Sequence, residues 1–64
     1  MKWLFIYKCN KNGSFSFVTK TSLENIIIRP TGQGWLDIIN QVDPSKSERY
    51  KESEILMSFE EVLG

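Results

Sequence analysis

The sequence predicts an α+β domain, on three observations. Asn12-Gly13 lies between two runs rich in aromatic and β-branched residues, the strongest short-range signal for a β-hairpin. Thr21-Ser22-Leu23-Glu24 has the spacing of a capping box and precedes Leu23, Ile26 and Ile27 at i, i+3 and i+4, one face of a helix. An isolated two-stranded ribbon is marginal in water, so the hairpin needs further strands to pair with.

The hairpin is expected over residues 2–21 with its turn at residues 10–13. Two registers compete. A two-residue loop, Asn12-Gly13, would set Lys8 opposite Phe17 and Tyr7 opposite Val18. A three-residue loop, Lys11-Asn12-Gly13, with Gly13 in the left-handed region, sets Cys9 opposite Phe15 and Tyr7 opposite Phe17. The second register gathers Trp3, Phe5, Tyr7, Cys9, Phe15 and Phe17 on one face. It leaves Leu4, Ile6 and Val18, with Lys8, Ser16 and Lys20, on the other. It is preferred because cross-strand aromatic pairs contribute ~0.2–1 kcal/mol each.

A short helix over residues 22–28 follows, stopped by Pro30, which disfavours helix at Arg29. Its rival is a strand, since the Ile26-Ile27-Ile28 triplet is β-branched. Thr31-Gly32-Gln33-Gly34 reads as a loop. Residues 35–42 fit both a helical stripe (Trp35, Ile38, Ile39, Val42) and an alternating strand, and strand is preferred. Residues 44–53 are polar and read as a solvated loop or a frayed helical turn, with Ser45 and Glu48 at capping-box spacing. Residues 54–59 read as a strand. Ser58 and Glu61 then open a last helical turn through Leu63; alternatively one helix runs from about residue 53 to the end. The core expected from this arrangement is Phe5, Tyr7, Phe17, Leu23, Ile27 and Trp35. The alternative fold is a small all-β barrel, in which residues 26–29 and 35–39 form a second hairpin.

At 64 residues the chain makes one domain. A domain of this size buries only ~60 % of the surface its unfolded chain exposes, so its stability is marginal. Natural domains this small often add disulfides, metal or a partner subunit, and self-association is one expected remedy. With one cysteine and no histidine, an internal disulfide and every His-based zinc site are excluded. The lone Cys9 suits a reducing compartment. The apolar run after Lys2 stops at Lys8, too short for a signal peptide, and nothing approaches the ~20 apolar residues of a membrane span. The expected location is the cytoplasm.

Catalytic chemistry finds little support in the residue types. Without histidine, acid–base work would fall to carboxylates, which need burial or like-charge pairing to reach useful pKa values. Glu60 and Glu61 point different ways on any regular element, and Glu48 and Glu52 read as solvated surface acids. Cys9 lacks an activating neighbour on its own face. Gly32-Gln33-Gly34 is half of a phosphate-loop pattern without the remaining glycine, lysine or serine. The acids between Asp43 and Glu54 lack calcium-loop spacing. No enzyme activity, metal or organic cofactor is expected.

Charge carries the functional expectation. The net charge is zero, yet residues 1–31 hold five cations against Glu24, five minus one giving +4. Residues 32–64 hold seven acids against three cations, three minus seven giving −4. Such asymmetry points to binding. The chain is therefore expected to be a small non-enzymatic module, an accessory or inhibitor protein of the kind a phage or mobile element encodes. It would occupy a basic surface on a larger protein through Asp43, Glu48, Glu52 and Glu54, with Tyr50 as aromatic anchor. The alternative is a single-stranded nucleic-acid binder that stacks bases on the hairpin aromatics and holds phosphates with Lys8, Lys11 and Lys20.

Overall fold

A computed structural model describes residues 1–61 and residue 63. Six strands form two three-stranded antiparallel sheets. Strands β1 (Lys2–Cys9), β2 (Phe15–Ser22) and β6 (Ile55–Glu61) form one sheet in the order β2-β1-β6. Strands β3 (Ile26–Pro30), β4 (Trp35–Asn40) and β5 (Glu48–Lys51) form the other in the order β3-β4-β5. Three short 3-10 turns, Leu23–Asn25, Pro44–Lys46 and Glu52–Glu54, make the connections.

The β1–β2 hairpin has the expected turn and register. Gly13 N–H donates to the Asn10 carbonyl at 3.1 Å and Asn10 N–H to the Ser14 carbonyl at 2.8 Å, closing a three-residue loop. Gly13 sits at φ +86°, where a side chain is strained. Cys9 lies opposite Phe15 and Tyr7 opposite Phe17. Beyond Tyr7 the register slips by one residue, so that Ile6 pairs with Thr19 and Val18 is the extra residue of a β-bulge. The bulge moves Lys20 opposite Phe5, onto the aromatic face rather than the face predicted for it.

The α+β expectation is overturned, since the described residues contain no α-helix. Only Leu23–Asn25 turns, as 3-10, and Ser22 makes no side-chain cap there. The isoleucine triplet instead pairs Ile26 with Asn40, Ile27 with Ile39 and Ile28 with Ile38. β-branched side chains lose rotamer freedom in a helix and pack well on a pleated sheet, and a waiting partner strand decided between the two. The second hairpin of the all-β alternative is thus present. Residues 35–40 form the strand preferred for them. In residues 44–53 a strand, β5, stands where a solvated loop was expected. The Ser45–Glu48 capping box does not form; the Asp43 carboxylate caps that turn, accepting from Ser45 N–H at 3.2 Å. The last helical turn is replaced by continuation of β6 to Glu61; the Val62 part of that expectation lies outside the described residues.

The core occupies the opposite hairpin face from the one predicted. Leu4, Ile6, Ile26, Leu36 and Ile38 are buried, with Leu23, Ile28, Tyr50, Ile55 and Met57 packed around them. Phe17, Ile27 and Trp35 of the predicted core are exposed, and Phe5 and Tyr7 are only half-buried. Strand β6 explains the choice. It sets Ile55, Met57 and Phe59 opposite Lys8, Ile6 and Leu4, but Leu56, Ser58 and Glu60 opposite Tyr7, Phe5 and Trp3. The side of β6 with Ile55 and Met57 thus continues the Leu4–Ile6 face, and the side with Ser58 and Glu60 continues the aromatic face.

Candidate functional site

The outer face of the β2-β1-β6 sheet is an aromatic platform. Its rings come from alternate positions of β1 (Trp3, Phe5, Tyr7) and β2 (Phe15, Phe17), which side-chain alternation and the hairpin register bring together. Phe17 is the hub: its ring centroid lies 6.5 Å from Phe5, tilted 51°, and 5.9 Å from Tyr7, edge to face at 68°. Phe15 is 54% exposed and Phe17 57%. From Trp3 to Cys9 the strip runs roughly 20 Å, at ~3.3 Å per residue. Large aromatic area on the solvent side of a sheet is costly to leave uncovered and marks a place of contact.

Cations stand at both ends of the strip. Lys20 Nζ lies over the Trp3 ring, 5.7 Å from its centroid, a cation–π contact. At the other end Lys11 projects from the turn. That turn is held by a dense polar net: Asn10 Nδ2 donates to Ser14 Oγ at 3.0 Å and to Ser16 Oγ at 2.8 Å, and Ser14 Oγ donates to Asn12 Oδ1 at 2.6 Å. The bounding acid is Glu60, opposite Trp3. Lys8 is not on this face; it lies opposite Ser16 and Ile55 and turns toward Trp35 and Lys51.

The acidic residues Asp43, Glu48, Glu52 and Glu54 lie on β5 and the 3-10 turns on either side of it. The Asp43 carboxylate is occupied by the Ser45 hydroxyl at 2.6 Å, a bond that lowers its pKa below the usual carboxylate value. Glu48 starts β5, and Glu52 and Glu54 are exposed in the turn that follows. Tyr50 lies opposite Leu36 and packs half-buried against the core rather than standing free as an anchor. Burial, and then the Glu48 carboxylate, raise its phenol pKa. β5 also carries two cations, Arg49 and Lys51. Arg49 grips Asp37 with two bonds, Nε at 2.7 Å and the terminal nitrogen at 3.1 Å, and thereby lowers the Asp37 pKa. Cations thus stand among the acids of residues 43–54.

Sequence reasoning identified every ring of the platform but placed most of them inside. The signal that would have exposed them is the alternation of β6, in which Ile55, Met57 and Phe59 need the face of Leu4 and Ile6. Among the described residues no group of three or more Cys, Asp or Glu side chains converges as a metal site, and no helix is long and apolar enough to cross a membrane. Comparison with known proteins finds no matching family model, no matching curated protein and no matching solved structure.

Proposed function

We propose that this protein is a non-enzymatic binding module whose aromatic sheet face takes single-stranded nucleic acid. The observation that carries the proposal is the outward placement of Phe5, Tyr7, Phe15 and Phe17 in one strip, with Lys20 and Lys11 at its ends. Every base has a π-face, so rings on a sheet stack unpaired bases without demanding a particular sequence, at ~1–3 kcal/mol per base. Lysines at the margins neutralise phosphates. A duplex hides its base faces, so single strands are the substrate class. With only two or three lysines in reach, the salt dependence is shallow: a log–log slope of about −1.4 to −2, at ~0.7 per neutralised phosphate of a single strand.

The rival is docking on a basic protein surface through Glu48, Glu52 and Glu54, the members of the acidic set whose carboxylates stay uncommitted among the described residues. Fluorescence anisotropy with a labelled oligothymidine separates the two. Phe17→Ala should weaken binding roughly 5- to 150-fold, the span of one lost stacking contact. Lys11→Glu with Lys20→Glu should weaken it further, and reversal of Glu48, Glu52 and Glu54 to Lys should not weaken it. Equal affinity of the parent and the Phe17→Ala variant, or no binding at all, would overturn the proposal.

A further inference from the structure

Among the described residues no backbone ladder joins the two sheets, and two cavities are lined by residues of both. β2 pairs with β1 alone and β5 with β4 alone, so each has a free long edge. Thr19, Lys20 and Thr21 of β2 border one cavity of about 420 Å³ with Glu48 and Tyr50 of β5, and Val18 borders another of about 330 Å³ with Arg49, Tyr50 and Lys51. Tyr50 borders both, so the two cavities adjoin at this residue and form the two halves of the candidate trench. Ile6, Ile26 and Ile38 line one half and Ile55 the other.

We propose that this trench takes an extended peptide segment of a partner protein, which adds as a strand between β2 and β5. Free strand edges offer rows of N–H and C=O groups that an extended main chain satisfies, and pockets on alternate positions then select its side chains. Residues i and i+2 of a guest strand lie roughly 7 Å apart on one side. They would place one side chain in each cavity, on either side of Tyr50. The rim sets the charge of the guest. Lys46 stands at the larger cavity and Lys8 and Lys51 at the smaller, none with a carboxylate within ion-pair distance among the described residues. Arg49 is taken by Asp37, and Glu48 and Glu54 are the rim acids. A segment with apolar side chains at i and i+2 and acidic residues beside them is the complement. The site meets the aromatic platform only at Lys20, which borders the larger cavity and lies over Trp3.

The test is amide chemical-shift mapping on the full chain with a short synthetic peptide, two isoleucines separated by serine and flanked by aspartates. A second peptide is N-methylated at alternate residues. The proposal expects shifts on both residues 18–21 and β5, and a loss of affinity of roughly tenfold or more on N-methylation, because the main-chain donors are gone. Lys46→Glu with Lys51→Glu, both exposed, should weaken binding while the fold persists. No binding, equal binding of the N-methylated peptide, or shifts confined to one edge or to the aromatic face would overturn it.

Discussion

Phe17 stands directly across the β1–β2 ladder from Tyr7, and the two rings meet edge to face with centroids 5.9 Å apart. This pair is on the water side of the sheet. Phe17 is 57% exposed, whereas Leu4 and Ile6, on the opposite side of β1, are 0% exposed. The hairpin thus has an aliphatic side for folding and an aromatic side for contact.

That division predicts unequal costs of truncation. Phe17→Ala removes exposed ring contacts, each worth ~0.5–1.5 kcal/mol, and should leave a folded domain. Leu4→Ala opens a cavity in the core and should cost ~2–5 kcal/mol, enough to unfold a domain whose total stability is about 5 kcal/mol. Urea unfolding of the two variants checks this.

Gly13→Val should destabilise by about 1 kcal/mol or more, because a β-branched residue resists φ +86°. Nothing lies within 4 Å of a Cβ built there, so the cost is conformational, and Gly13→Asn should cost less because asparagine tolerates that region. A melting temperature unchanged in the valine variant would contradict the turn geometry.

Three carboxylates are held below their ordinary pKa values by hydrogen bonds. Hydrogen bonds from Arg49, from Ser45 and from the Met1 ammonium lower the pKa values of Asp37, Asp43 and Glu61 from 3.8, 3.8 and 4.5. A carboxylate with a depressed folded pKa stabilises above its unfolded value, and that stability is lost as pH falls through the folded value. Melting temperature should therefore show no loss from these groups between pH 7 and 5 and should drop below about pH 4. Asp37→Asn should make the drop shallower.

The local signals in the sequence were strong where the chain is local. Asn12-Gly13 and the flanking rings specified the hairpin, its loop length and the Tyr7–Phe17 pairing. Three features were not legible in the sequence. The Val18 bulge, which turns Lys20 toward Phe5, has no turn residue to announce it. The inside face of β1 is chosen by β6, whose Met57 pairs with Ile6 from the far end of the chain. The Ile26–Ile28 triplet follows a capping-box pattern yet pairs with β4. Strand β5 was hidden for another reason: as an edge strand it has a single apolar residue, Tyr50, among charged neighbours. At the candidate site the rings and lysines were all named from sequence, while their exposure emerged only with the β6 register.

A bound single strand is expected on the aromatic face of the β2-β1-β6 sheet. Amide and aromatic chemical shifts recorded during titration with an oligothymidine measure that. Shifts concentrated at Trp3, Phe5, Tyr7, Phe15, Phe17 and Lys20, and attenuated by salt, are predicted. Absence of shifts, or shifts confined to residues 48–54, would contradict the aromatic face as the binding surface.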